Sequence, residues 1–294
     1  MKQTSAMSDE EIERQYNPAV AVPDFALHLK AWRIAATHAY QTLAYVKDIR
    51  YGSGARQLLD IFPSANGPAS TLSPVCLFFH GGAWRSLSKE FVAGIAGSLV
   101  PAGITCVCVG YDLCPQVPLA RIAEEAREAC AWVVSNIASY GGDPRAIVLA
   151  GSSAGAQLAA LMLSDRYGPA LGEDALFPIA AALASGLYDL RPLTRVSFNV
   201  DLGLDSNSAA NLSPLFNLPR RRAPMLVAVG SDETSEWIGQ SRQYHLACLK
   251  SGVPAELFLV PGANHFTVGI GVPGTEMNTA LVHFIKEAVR SVAI

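Results

Sequence analysis

Apolar and polar positions along this chain change period several times, and the changes divide it into elements. Residues 8 to 45 read as helical, interrupted at Asn17-Pro18 and Pro23-Asp24. Ser8, with Glu11 three positions on, predicts a capping box at the first helix. Between Phe25 and Ala44 the residues Phe25, Leu29, Trp32, Ala36 and Ala39 recur at helical spacing. Such a stripe either packs on the body of a domain or forms part of a cap over a pocket. Val46 to Tyr51, Gly52-Ser53-Gly54 and Gln57 to Phe62 predict a hairpin whose Gly-x-Gly is a turn. Ser64 to Pro74 (SANGPASTLSP) has the composition of a loop. Short apolar runs then follow at Val75 to Phe79, Thr105 to Val109, Ile147 to Ala150, Met225 to Val229 and Leu257 to Val260. Helical patterns separate them at Lys89 to Val100, Leu119 to Ala138, Ala154 to Asp165, Trp237 to Ser251 and Thr275 to Val292. Strand and helix alternating at this spacing predict a mostly parallel, doubly wound α/β sheet. No repeat or linker divides the chain. It reads as a helical N-terminal extension, residues 1–45, on one α/β domain, residues 46–294.

Composition narrows the class. With 294 residues and 50% hydrophobic content the chain can bury a large core, while 16% charged residues and a net charge of −3 point away from nucleic acid and from electrostatic membrane anchoring. The polar start MKQTSAMSDEEIERQ has no apolar h-region, and no apolar run reaches spanning length. Cys76, Cys106, Cys108, Cys114, Cys130 and Cys248 form no C-x-x-C pair, and three of them lie in apolar strand-like runs. Buried reduced thiols, and hence a cytoplasmic location, are the expectation.

The candidate chemistry centres on Gly151-Ser152-Ser153-Ala154-Gly155, between an apolar run and a helical pattern. That is the context of a nucleophile elbow, where a serine sits on a sharp strand-to-helix turn too tight for flanking side chains. His80-Gly81-Gly82-Ala83-Trp84 follows the strand Val75 to Phe79. Consecutive glycines let a chain come close to a substrate and aim its N–H groups at a forming oxyanion. Gly81 and Gly82 are the candidate donors, with the N–H of Ala154 as their partner. His80 is tied to that loop, and its expected role is to orient it. For a general base, His28 and His38 lie in the N-terminal helical region, His245 inside a helical pattern and His283 in the last helix. His265 alone follows a strand and a loop, which frees it to reach Ser153. The orienting acid is expected in the loop Gly230-Ser231-Asp232-Glu233-Thr234. Register favours Glu233, three residues past the glycine, over Asp232, and Glu236 is a third candidate. An antiparallel hairpin leading into such a sheet fits an α/β hydrolase, and the order serine, acid, histidine is the one that fold uses. No H-E-x-x-H run or Cys/His cluster at zinc spacing is found, so neither metal nor cofactor is expected.

These residues resemble α/β hydrolases of the hormone-sensitive-lipase type, and more closely the kynurenine formamidase (arylformamidase) branch. The resemblance runs through Tyr16-Asn17-Pro18, Val22 to Phe25, Leu59 to Phe62, His80 to Trp84 and Tyr111 to Pro115. It continues with Gly141 to Pro144, Ser185 to Leu190, Glu236-Trp237, Gln240-Ser241 and Gly262 to Phe266. It implies a triad of Ser153, Glu233 and His265, a small-molecule substrate and two-step acyl transfer. It also suggests a homodimer. Glu233 stands where Asp is frequent, and Ser152 fills a site often held by His or Asp, which leaves the substrate open between an aryl formamide such as N-formylkynurenine and a short acyl ester. An aromatic leaving group needs an apolar pocket, and Trp84, Tyr188, Trp237 and Phe266 are candidates to line it or to pack in the core.

Overall fold

The computed structural model describes residues 7–64, 71–169, 177–219, 222–268 and 272–292. Most of the loop expected after residue 64 lies outside these. Among the described residues the strands are β1 (Val46–Arg50), β2 (Leu58–Phe62), β3 (Ser73–Phe79), β4 (Thr105–Val109), β5 (Gly142–Ser152), β6 (Ala180–Ala184), β7 (Met225–Gly230) and β8 (Ala255–Val260). They form one sheet in the order β1-β2-β4-β3-β5-β6-β7-β8. The first two pairings, β1 with β2 and β2 with β4, are antiparallel; every other neighbour is parallel. This is the expected α/β-hydrolase sheet with its antiparallel start.

The helices are α1 (Asp9–Tyr16), α2 (Pro18–Ala21), α3 (Phe25–Thr42), α4 (Ala96–Leu99), α5 (Leu119–Asn136), α6 (Ala154–Leu161), α7 (Asn199–Leu202), α8 (Ser206–Asn211), α9 (Ser235–Lys250) and α10 (Glu276–Val292). Successive side chains of a strand point to opposite faces, so each central strand must be apolar throughout. In β3, Val75, Leu77 and Phe79 join α1, α5, α6 and α9 on one side, while Cys76 and Phe78 join α3, α4 and α10 on the other. All six cysteines are buried and free. None of the described helices is long and apolar enough to cross a membrane.

Three sequence expectations need correction. A single helix over Lys89 to Val100 is instead a 3₁₀ segment, Lys89–Ile95, followed by the one-turn α4. The pattern starting at Ala154 leaves the α-helix at Leu161, short of Asp165. One strand went unread: β6, with the sequence AAALA, is buried along its whole length between β5 and β7. Alanine is depleted in strands and common in helices, so its composition carries no strand signal. Its role is steric. Small side chains let α6 pack closely on this part of the sheet.

A buried charge network joins the N-terminal segment to the sheet edge. The Lys89 ammonium lies 2.7 Å from Asp48 Oδ1, 2.8 Å from Asp60 Oδ1 and 2.6 Å from Glu90 Oε1. The hydroxyl of Tyr40, on α3, donates to Asp60 from the other side. Burial opposes the lysine's charge, but the hydrogen bonds to Asp48, Asp60 and Glu90 outweigh it and raise its pKa. Asp60 is fully buried, so removing its cation strands a carboxylate in the interior. Lys89→Met is expected to lower the unfolding free energy by about 3 kcal/mol, read as a shifted urea midpoint at unchanged slope.

Candidate active site

The central strand β5 runs straight into α6, and the turn between them is made by Ser153 at φ 56°, ψ −119°. A non-glycine residue there is strained by about 1–3 kcal/mol, and its surroundings must hold it. They do so through the backbone: the Ser153 N–H donates to the Ala184 carbonyl at the end of β6 (2.9 Å). Glycine is obligatory on both sides. A Cβ on Gly155 would lie 2.0 Å from the Phe79 carbonyl oxygen, and one on Gly151 would lie 2.3 Å from the Gly155 carbonyl oxygen. The elbow is thus pressed against the end of β3, where the His80-Gly81-Gly82 loop begins.

That loop is itself strained and tightly tied. Gly82, Ala83 and Trp84 take φ of 108°, 50° and 57° in succession. The Gly82 carbonyl accepts from the N–H groups of Arg85 and Ser86, both at 3.0 Å, and the Trp84 carbonyl accepts from the Cys114 N–H at 2.8 Å. The Trp84 indole is fully buried and donates to Gln157 Oε1 (3.0 Å), whose amide nitrogen donates to the Leu212 carbonyl (2.8 Å). Gln157 belongs to α6, so one buried amide ties the loop to the elbow helix. A Cβ on Gly81 would lie 3.3 Å from Ser153 Cβ, which measures how near the loop comes to the serine. The N–H groups of Gly81, Gly82 and Ala154 make no hydrogen bond to another described residue. His80 does what its position suggests: its Nδ1 pairs with the Gly81 carbonyl at 2.6 Å, and its ring stacks on Tyr111 at 4.1 Å.

The loops after β7 and β8 bring the other two groups. His265 Nε2 is 3.1 Å from Ser153 Oγ, and its Nδ1 is 2.7 Å from Glu233 Oε2. A carboxylate can only accept, so Nδ1 carries the proton and Nε2 offers a lone pair to the serine hydroxyl. Glu233 Oε1 accepts from the Ser185 hydroxyl (2.5 Å) and the Gly230 N–H (2.8 Å), so the acid is held at both oxygens. Asp232 is exposed and accepts from its neighbour Ser231, while Glu236 accepts from the Tyr16 hydroxyl at 3.1 Å. Of the three carboxylates, Glu233 alone meets the histidine.

Ser153 and His265 open onto a cavity of about 380 Å³. Trp237 and Phe266 line it. Trp84 and Tyr188 do not: the first packs under the glycine loop, and the second is fully buried against Tyr244 at 4.2 Å. Much of the remaining wall comes from the N-terminal helices through Tyr16, Phe25, Leu29 and Trp32, with Leu187 and Phe198 from beyond β6. The stripe on α3 therefore divides, Ala36 and Ala39 packing on the body and Phe25, Leu29 and Trp32 facing the cavity. Sequence reasoning missed Ser185 and Gln157 as supporting groups. Ser185 follows the unread strand, and a lone glutamine in an apolar helix was the only trace of Gln157.

A sheet of this order, with a serine at the sharp turn after its central strand and a histidine–carboxylate pair beside it, is the architecture of α/β hydrolases. A family model described as the alpha/beta hydrolase fold matches residues 76–268, and the chain belongs to that family. It is 28% identical to the kynurenine formamidase of Danio rerio, over 91% of this chain and 92% of that one. The isoprenylcysteine alpha-carbonyl methylesterase of Arabidopsis thaliana is 29% identical, over 74% of this chain and 56% of its own. A crystal structure of a candidate thioesterase from a Silicibacter species superposes with TM-score 0.77 at 26% identity, covering 94% of this chain and 99% of that one. The protein is a hydrolase with formamidase and esterase relatives.

Two outcomes follow from this geometry. Gly155→Ala forces backbone against backbone and is expected to cost about 3 kcal/mol of stability, with hydrolysis lost at least a hundredfold; denaturation and initial rates measure both. Burial pushes the His80 imidazole down to about 4 from 6.5. The unfolded chain then takes up a proton that the folded chain refuses, so stability is full above about pH 6.5 and falls as pH drops toward about 4. In His80→Phe, which keeps the stacking, unfolding free energy is expected to fall less steeply across that window than in the wild type.

Proposed function

We propose that the protein hydrolyses the acyl C–N bond of a small aryl amide through an acyl-enzyme on Ser153, with an aryl formamide such as N-formylkynurenine as substrate. The observation that carries this reading is the unbroken hydrogen-bond chain Ser153–His265–Glu233 at the floor of an aromatic cavity. Ser153 Oγ attacks the carbonyl carbon as its proton passes to His265 Nε2. The N–H groups of Gly81, Gly82 and Ala154 receive the oxyanion, and Glu233 stabilises the imidazolium. When the tetrahedral intermediate collapses, His265 gives the proton to the leaving nitrogen or oxygen. Water, deprotonated by the same imidazole, then releases the acid and regenerates the serine.

A formyl group needs almost no acyl room. The space is on the leaving-group side, where Phe25, Trp32, Trp237 and Phe266 offer ring faces and edges to an aryl amine. Tyr16 and Gln15 hold the N-terminal segment against α9 and the loop that carries Glu233, through Tyr16 Oη to Glu236 and Thr234 Oγ1 to the Gln15 carbonyl (2.7 Å). In this reading the helices α1 to α3 act as a fixed part of the pocket wall, a cap over the site. The methylesterase relative favours a second reading, a carboxylesterase on short acyl esters, because one site of this kind cleaves both bonds.

Ser153→Ala is expected to lower kcat by at least a thousandfold and to abolish labelling by an organophosphate. Full-rate labelling of that variant would overturn the assignment of the nucleophile. Turnover of N-formylkynurenine against p-nitrophenyl acetate separates the two readings. Hydrolysis of the ester alone would leave the carboxylesterase.

A further inference from the structure

The wall of the cavity is largely aromatic and aliphatic, with the neutral polar side chains of Asn17, Ser86, Ser152 and Ser197 among its lining. Arg85, directly after the strained glycine loop, is the one lysine, arginine, aspartate or glutamate among the described residues of that wall. We infer that Arg85 is a specificity-determining residue, and that it receives a carboxylate on the leaving-group side of the substrate. This rests on the acyl-transfer reading of Ser153 above.

The position of the guanidinium is built, not incidental. The Arg85 N–H is bonded to the Gly82 carbonyl at 3.0 Å, so its backbone is fixed by the same turn that aims the glycine N–H groups. Its Nη1 lies 2.8 Å from Asp201 Oδ2, on α7, and its Cζ sits 5.7 Å from the centre of the Phe198 ring. An acid on one edge and a ring beneath hold the fork without using it up, since no other partner of the guanidinium occurs among the described residues. A planar guanidinium with free N–H groups matches the two oxygens of a carboxylate. The side chain is 39% exposed, so it stays hydrated and accessible from the mouth of the cavity. Ser153 and Arg85 line the same space as the rings of Phe25, Trp32, Phe198, Trp237 and Phe266. A nucleophile, aromatic surfaces and a cation sharing one cavity fit an aryl leaving group that bears an acid. The neutral short acyl esters of the second reading give Arg85 nothing to bind.

The test uses two pairs matched in shape and differing in charge, 4-formamidobenzoate with 4-formamidotoluene, and 4-acetoxybenzoate with 4-acetoxytoluene. For each pair the measured quantity is the ratio of kcat/KM, carboxylate over neutral. In the wild type this ratio is expected to exceed one and to fall toward one between 0.05 and 1 M salt, on the order of the change in screening length from above 10 Å to about 3 Å. Arg85→Gln is expected to lower the ratio about tenfold, mostly through KM of the carboxylate, and Arg85→Lys to recover part of it. A wild-type ratio at or below one, or a ratio that Arg85→Gln changes by less than twofold, overturns the proposal. The salt titration needs no variant and so stands even if Arg85→Gln misfolds. If neither formamide reacts, the formamidase reading falls, while the acetate pair still tests Arg85.

Discussion

The structure turns on one close backbone approach. The turn that carries Ser153 is pressed against the end of β3, near enough that a single added methyl at residue 155 would overlap the Phe79 carbonyl oxygen. That contact sets the distance between two loops which come from different strands and must act together. On one side stands a serine in a strained conformation, and on the other a glycine loop with three successive positive φ angles. Neither strain would persist alone, since each costs about 1–3 kcal/mol. The parallel pairing of β3, β5 and β6 holds both, because it fixes the ends from which the turns depart.

Rigidity then spreads outward through buried polar groups rather than through apolar packing alone. Gln157 ties the glycine loop to α6, His80 ties it to its own next carbonyl, and Ser185 with Gly230 fixes Glu233 at both oxygens. Each of these groups is buried and has at least one defined partner, the arrangement that makes polar networks in a core specify one geometry. The histidine between them needs little freedom: Trp237 packs on one side of its ring at 4.3 Å and Phe266 meets it edge-on at 5.6 Å. A preorganised site of this kind stabilises developing charge without first reorienting its dipoles.

The cavity has a different origin. Its floor belongs to the sheet, but much of its wall is supplied by helices that precede the first strand. Those helices are held by directional contacts: Tyr16 with Glu236, the Gln15 carbonyl with Thr234, Arg195 with Asp9, and the Lys89 network beneath α3. The same loop that carries Glu233 therefore also anchors the wall, so pocket shape and the position of the acid are linked. Arg85 adds the charge that this wall otherwise lacks.

Much of this was legible in the chain itself. Continuous apolar runs marked the parallel strands, because a strand covered on both faces cannot alternate. Glycines marked the two turns, because a Cβ at residue 82, 151 or 155 would overlap backbone atoms there. His265 was found by elimination, since four of the other histidines lay in helical patterns and His80 was bound to its loop. Glu233 was favoured over Asp232 by register, and the hydrogen bond to His265 agrees. What the sequence could not supply was whatever depends on neighbours distant in the chain. An alanine run gives no strand signal of its own, and only its place between β5 and β7 makes it one. Trp84 and Tyr188 are as aromatic as Trp237 and Phe266, and only tertiary packing decides which rings face the cavity. Residue type and spacing determine the backbone's local options and the chemistry on offer. Which surface each side chain meets is settled by the tertiary structure, because burial is a property of the assembled layers and not of any single stretch.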